Sequence, residues 1–485
     1  MTGLRLAAVD LGATSGRVMV AEVGPDRLDL REVRRFPNRA VEHGGGLRWD
    51  LEALSAGMVD GLERIAADGP LHGIGIDSWG VDYGLLGADG RLLGDPYSHR
   101  DRRTDGVGEK LVAEIGAAAL YAVNGLQQLP FNTVYQLVAA RGSPELAAAR
   151  TMLLIPDLLG YLLTGMVGAE RTNASTTGLY DVRSRGWATD LAARVGVPPH
   201  LLPPIRDPGS VLGPVLASAS PALAGVPVVA VGSHDTASAV VGVPAGDEPF
   251  AYISSGTWSL VGLELDAPVL TDEARLADFT NETGVDGTIR FLRNVMGLWV
   301  LGECVRAWGT ELGPLLGAAA EAAPLRTVVD IDHPVLLPPG DMPGRLATLA
   351  AEAGEPVPAD QAAMTRCILD SLALAYRRQV MTASRLAGRD VAVVHVVGGG
   401  AQNDLLCRLT ADACGTPVLA GPAEAAALGN VLVQARALGA DLPDLAAMRA
   451  LVRRTHDVRR HLPELGLDWP AAEARVRTRA GGGEA

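Results

Sequence analysis

The sequence predicts an α/β protein built as two similar domains, and three observations carry that expectation. A strand, a Gly/Ser/Thr turn and a second strand open the chain as L-R-L-A-A-V-D-L-G-A-T-S-G-R-V-M-V-A-E-V, and the pattern recurs near the middle as F-A-Y-I-S-S-G-T-W-S-L-V-G-L-E-L. Strand-length apolar runs elsewhere alternate with helical periodicity, the pattern of layered α/β folds. The 485 residues are more than one hydrophobic core usually serves, and halves of about 240 residues suit two such units. The break falls in V-P-A-G-D-E-P, residues 243–249, giving expected domains of 1–245 and 246–485.

The elements follow in order. After the first turn a further strand at Leu28 to Arg34 makes the start a meander, and an amphipathic helix runs from about Asp50 to Ala67. A buried strand follows at Leu71 to Ile76. Residues 108–164 read mainly as helix, broken around Gly125 to Pro130 and Gly142 to Pro144. The proline- and glycine-dense stretch from Gly196 to Pro227 excludes one long helix. It leads into V-P-V-V-A-V-G-S-H-D-T-A-S-A-V-V-G: a buried strand, a polar turn and a helix. In the second half V-A-V-V-H-V-V-G-G-G-A-Q-N is a strand running into glycines, with a helix from about Asp404. The tail from about Arg477 is expected to fray.

Composition removes several function classes. With 48% hydrophobic and 20% charged residues the chain is no disordered protein, and 4% aromatics leave Ala, Val and Leu to fill the core. Acidic side chains outnumber basic ones 56 to 42, a formal charge of −14, which argues against broad binding to nucleic acid or an anionic membrane. Lys110 is the one lysine, so a P-loop lysine is excluded and a lysine Schiff base nearly so. Cys304, Cys367, Cys407 and Cys414 form no C-x-x-C and are too scattered for a disulfide scaffold. No leader pattern or apolar run of about 20 residues occurs, so a soluble, cytoplasmic protein is expected.

Three turns could hold a nucleotide. In Asp10-Leu11-Gly12-Ala13-Thr14-Ser15-Gly16-Arg17, glycines bring backbone N–H groups close to an anion. Thr14 and Ser15 add hydroxyls, Arg17 a cation, and Asp10 is placed to hold a metal through water. Ser254-Ser255-Gly256-Thr257-Trp258 has the same chemistry without the acid. Gly398-Gly399-Gly400 could let a ring or a phosphate lie on bare backbone; its G-x-G-x-x-N, with Glu424 downstream, also keeps a dinucleotide reading open. In Gly232-Ser233-His234-Asp235-Thr236 the acid follows a buried strand at the sheet edge where ligands bind, although Asp235 could instead cap the helix. The His-Asp pair also leaves a metal phosphohydrolase open. Asp77 to Tyr83, Tyr97 to Arg103, Asn281-Glu282 and Asn294 are polar patches that could line a polyhydroxylated ligand.

Taken in order, these pieces resemble the FGGY carbohydrate kinases of the actin/hexokinase/Hsp70 ATPase superfamily. The motifs are D-L-G-A-T-S-G-R, D-S-W-G-V-D-Y, H-R-D-R-R-T-D-G, F-N-T-V-Y-Q-L, G-S-H-D-T-A-S-A-V, I-S-S-G-T-W-S-L, R-F-L-R-N-V-M-G-L-W and V-G-G-G-A-Q-N, spread over about residues 4 to 460. The resemblance implies two actin/hexokinase-like (ribonuclease H-like) domains with an active-site cleft between them, sugar-binding in the N-terminal half and nucleotide-binding in the C-terminal half. It implies an enzyme that transfers the ATP γ-phosphate, with Mg²⁺, to O1 of L-rhamnulose, or else to L-fuculose or xylulose; either a monomer or a homodimer is expected. By motif match Asp235 would be the general base, and Ala13, Thr14, Ser15, Gly16, Arg17 and Thr257 would face the phosphates. Gly400 would lie by the adenosine and Asp10 near the magnesium. Gly80, His234, Asp235, Thr236 and Asn294 would contact the sugar. One departure stands out: the matching branch of the family is expected to carry glutamine near position 302, where this chain has Gly302. A non-catalytic actin-like ATP-binding module is the rival outside enzymes.

Overall fold

The computed structural model describes residues 3–12, 14–464 and 466–480. They fall into two compact units: the first takes the chain up to Gly242 with Glu264–Phe291 and Ala425–His456, the second takes Val243–Leu263, Leu292–Glu424 and the chain from Asp457 onward. The chain therefore passes between units several times.

The first unit is built on a six-stranded sheet, ordered Val211–Pro214, Pro227–Val229, Gly73–Ser78, Leu4–Leu11, Ser15–Gly24, Arg27–Pro37. Leu4–Leu11, Gly73–Ser78 and Pro227–Val229 run parallel, and the flanking pairs are antiparallel. The first strand, L-R-L-A-A-V-D-L, is apolar on both faces, as a strand covered on both sides must be. Ala7, Val9 and Leu11 pack with Leu54, Met58, Leu62 and Ile65 of the Leu51–Ala67 helix. Leu6 and Ala8, on the opposite face, pack with Leu428, Val431 and Leu432 of the Ala425–Ala437 helix. The Leu51–Ala67 helix starts where expected because the Asp50 carboxylate accepts the Ala53 N–H at 2.9 Å.

Within the second unit, Ser259–Leu265, Phe250–Ser255, Val393–Val397, Val418–Ala420 and Arg459–His461 are neighbours in that order. Again the central steps are parallel and the flanking ones antiparallel. Each unit thus carries an antiparallel hairpin joined to two parallel strands and closed by an antiparallel edge. The repeat lies in topology, with little sequence likeness to announce it.

Two expectations change. The mainly helical stretch of 108–164 contains a strand, Thr151–Leu154, paired with Tyr83–Leu86. Its T-M-L-L run is too short for its period to separate strand from helix. The strand expected at Leu71 to Ile76 is Gly73–Ser78. Trp469–Ala480 is helix, and 481–485 lie outside the described residues.

Candidate active site

The carboxyl ends of the first unit's parallel strands gather its acids. Asp10 is in register with Asp77 on the neighbouring parallel strand and with Arg17 across the hairpin, and the Arg17 guanidinium donates to the Asp10 carboxylate. Asp77 is wholly buried; Asn430 of the Ala425–Ala437 helix donates to its Oδ2, and its Oδ1 has no hydrogen-bond partner. Burial, then the Asp10 charge, push the Asp77 carboxyl well above the usual carboxylate range, against the Asn430 hydrogen bond.

One strand over, the Ser78 N–H donates to the Ser233 carbonyl at 2.9 Å, tying the G-S-H-D-T turn to the same edge. Asp235 is the first residue of the Asp235–Val241 helix; His234 holds the cap position and makes no side-chain cap bond. The capping alternative for Asp235 is therefore set aside. Its carboxylate accepts the Thr236 hydroxyl at 3.1 Å and keeps 32% of its side-chain surface exposed. Desolvation raises the Asp235 carboxyl, Asp10 adds to this, and His234 opposes it. Thr236 is buried.

The turn of 10–17 is a tight hairpin. Gly12 N–H donates to the Ser15 carbonyl at 3.0 Å, and Asn38 brackets the turn by donating to the Thr14 and Gly12 carbonyls. Thr14 is exposed at the tip, Ser15 and Arg17 are half-buried, and Ala13 lies outside the described residues. Gly16 has a packing requirement that sequence reasoning assigned to phosphate approach: a Cβ there would stand 2.4 Å from the Phe36 ring and 2.8 Å from Leu11. Gly80 joins the same edge, since the preceding Trp79 N–H donates to the Leu11 carbonyl and a Gly80 Cβ would come within 2.9 Å of Thr176 Oγ1.

The second unit brings its two turns together. Gly400 packs so tightly on the S-S-G-T-W turn that a Cβ would lie 2.0 Å from Ser255 Oγ, and one on Gly398 (φ +82°) 2.7 Å from the Ser255 carbonyl. Thr257 sits half-buried at the tip of that turn, where its carbonyl accepts the Trp299 N–H at 2.9 Å. Asn294, which belongs to this unit, is half-buried on the Ile289–Val295 strand. Gly302 occupies an exposed position of the Trp299–Trp308 helix with open space beside it.

Sequence reasoning passed over Glu170, and it named Asp82 only as part of a polar patch. Glu170 takes five donors: the Thr172 N–H and hydroxyl, the Asn173 N–H, and the Ser233 N–H and hydroxyl, which fixes the loop leading to Asp235. Asp82 Oδ2 accepts from Trp49, Trp79 and His99, and Gln136 donates to its Oδ1. Each acid joins near neighbours, Thr172 and Asn173 for Glu170 and Trp79 for Asp82, to distant residues, Ser233 and Gln136, and that long-range half is not visible in local spacing. Among the described residues no cluster of three His, Cys, Asp or Glu could hold a metal directly, and no helix is long and apolar enough to cross a membrane. Burial pushes the thiols of all four cysteines up to about 12, so they act as small core residues.

Known proteins agree with this layout. Residues 6–242 match the N-terminal domain and 251–438 the C-terminal domain of the FGGY family of carbohydrate kinases. A rhamnulokinase of Bacteroides thetaiotaomicron is 41% identical over 471 residues, 96% of this chain and 97% of that one. A rhamnulokinase of Pectobacterium carotovorum is 44% identical over 470 residues, 96% of this chain and 94% of that one. In fold the chain is similar to a ligand-bound xylulose kinase from Lactobacillus acidophilus, with TM-score 0.78, 16% identity, and 98% of this chain and 96% of that one covered. It is equally similar to Plasmodium falciparum glycerol kinase with ADP, with TM-score 0.78, 14% identity, and 99% and 97% covered. At such identities the structural likeness speaks for the two-domain α/β fold alone, and the family rests on the sequence matches. The chain belongs to the FGGY family of carbohydrate kinases.

Proposed function

We propose that this carbohydrate kinase transfers the γ-phosphate of ATP to O1 of L-rhamnulose, giving L-rhamnulose 1-phosphate and ADP, as a cytoplasmic enzyme of L-rhamnose breakdown. The observation that carries the choice of sugar is the 41% and 44% identity, across 96% of the chain, to two proteins named rhamnulokinase.

In this reading Asp235 takes the proton from the O1 hydroxyl. The O1–P bond forms, the bond from the γ-phosphorus to the β,γ-bridging oxygen breaks, and ADP leaves. Phosphoryl transfer asks for alignment and charge neutralisation rather than covalent help, so a chain without a P-loop lysine can perform it. Backbone N–H groups of 13–16, the hydroxyls of Thr14, Ser15 and Thr257, and the Arg17 guanidinium would meet the phosphates. Gly400 would give the adenosine a bare backbone surface. Gly80, His234, Thr236 and Asn294 would contact the sugar.

Magnesium fits the residues present. Asp10 stands in register with Asp77, whose buried Oδ1 is unpartnered, so an uncompensated acceptor points to a missing cation or water. Magnesium keeps most of its water and takes one or two carboxylates, which suits Asp10 acting through water. When bound it would neutralise charge on the β- and γ-phosphates.

The test is ADP release from Mg·ATP with L-rhamnulose, L-fuculose, L- and D-xylulose and glycerol, beside a sugar-free control. L-rhamnulose is expected to give the highest kcat/KM, by about tenfold or more over xylulose and glycerol, which lack its C6 methyl group, since such an apolar group well placed in a pocket is worth roughly 1–3 kcal/mol. A higher value for another ketose would move the substrate within the family. Release indifferent to every sugar would remove the reading.

A further inference from the structure

Glu282 and Arg290 face each other across the hairpin of Thr280–Thr283 and Ile289–Val295, and both are buried, Arg290 with no exposed surface at all. Arg290 Nη2 lies 2.8 Å from Glu282 Oε2 and 3.1 Å from His234 Nδ1, and His234 Nδ1 lies 3.0 Å from Glu282 Oε2. The three groups close a triangle. Arg290 is held in place by donating from Nε to the Thr283 carbonyl at 3.3 Å, and the backbone N–H of His234 donates to Thr172 Oγ1 at 3.3 Å. With its Nδ1 edge occupied, the imidazole turns Nε2 toward Asp235, 3.6 Å from Oδ1.

A guanidinium only donates, so two arrangements are open to the ring. A bare Nδ1 accepts from Arg290, or a protonated Nδ1 donates to Glu282. Arg290 alone would repel a second cation at His234; the Glu282 carboxylate offsets that repulsion and gives an Nδ1 proton its acceptor. In either arrangement the Glu282–Arg290 pair holds the Nδ1 edge and so keeps Nε2 turned toward Asp235.

We propose that Glu282 is a positioning residue of phosphoryl transfer that acts through His234, keeping the Nε2 edge of the imidazole turned against Asp235. The proposal rests on Asp235 being the base. Burial pushes the Glu282 carboxyl up, but Arg290 and then His234 outweigh it and hold the group below the usual range, so it stays ionised. Around this pair the other charged groups are Glu170, bonded to Ser233, and Asp10 and Asp77 on the strands beside Asp235.

The variant Glu282→Gln/Arg290→Met removes one buried anion and one buried cation together, so the field at Asp235 changes mainly through His234. A buried pair replaced as a unit usually leaves a folded protein. The acidic limb of the kcat/KM profile for L-rhamnulose is expected to move up by about half to one pH unit, because a cation beside a carboxylate lowers its basicity by about that much or more. A fall of about tenfold in kcat with an unchanged KM for ATP is expected alongside. In a His234→Gln background the same double substitution is expected to shift the limb no further, since the two act as one path. A folded variant with an unmoved limb and unchanged kcat, altered only in melting temperature, would overturn the proposal. So would a full shift that persists without the imidazole. If Asp235→Asn itself keeps its turnover, the base assignment is what has failed, an outcome the Glu282 variants do not produce.

Discussion

Replacing Asp235 by asparagine is expected to lower kcat by about 10²–10⁴-fold, the usual contribution of a positioned general base. By transition-state arithmetic this is roughly 3–5 kcal/mol of lost stabilisation. Folding should survive, because the side chain keeps a third of its surface exposed and its bond from the Thr236 hydroxyl can be made to an amide oxygen as well. The KM for ATP should hold within about twofold, the lost group being a proton acceptor for the sugar. The wild-type profile carries a second signature. Desolvation and Asp10 raise the Asp235 carboxyl, so turnover should fall as pH drops through a value above the ordinary aspartate range of about 4. Turnover within a few fold of wild type in the asparagine variant would remove Asp235 from the chemistry.

The second large effect is expected at a glycine far from any motif. Gly429 lies in the Ala425–Ala437 helix where it crosses the Asp235–Val241 helix, and a Cβ there would stand 1.8 Å from the Ser238 carbonyl oxygen and 2.7 Å from its carbon. From the other helix, a Cβ on Gly242 would come within 2.3 Å of the Ala425 carbonyl. The two helices meet backbone to backbone, and backbone cannot rotate away as a side chain could. Gly429→Ala gains about 1 kcal/mol of helix propensity but forces overpacking at or beyond the upper end of the usual 1–3 kcal/mol. A net loss of about 2 kcal/mol is expected in urea unfolding of the first unit. Because the displaced helix begins at Asp235, kcat should fall with it, by about tenfold. Gly302→Ala is the internal control: the Trp299–Trp308 helix leaves open space there, so alanine should stabilise by up to about 1 kcal/mol. Equal signs at the two positions would refute the backbone-contact account.

Gly429 also marks the boundary of what the sequence discloses. The strand–turn–strand openings, the Asp50-capped helix and the three glycine-bearing turns were readable because each is encoded within a few neighbouring residues. The order of the family motifs placed Asp235 and His234 on one turn. Glu170 carried no such signal, and Glu282 and Arg290, although they fall in a polar patch and a family motif, gave no sign of their pairing with His234, because partners lie up to 63 residues away and the pairing exists only after the sheets assemble. The passage of 264–291 and 425–456 back into the first unit is likewise a long-range event. Gly16 shows the opposite case, a motif glycine whose visible constraint is the Phe36 ring on the adjoining strand.

The central claim is the bond that forms, and ¹³C and ³¹P NMR of the product tests it most directly. With L-rhamnulose and Mg·ATP, phosphorus coupling is expected at C1 and C2 of the sugar, with ADP formed in equal amount. Phosphorus on another carbon, or ADP accompanied by inorganic phosphate and unchanged sugar, would contradict it.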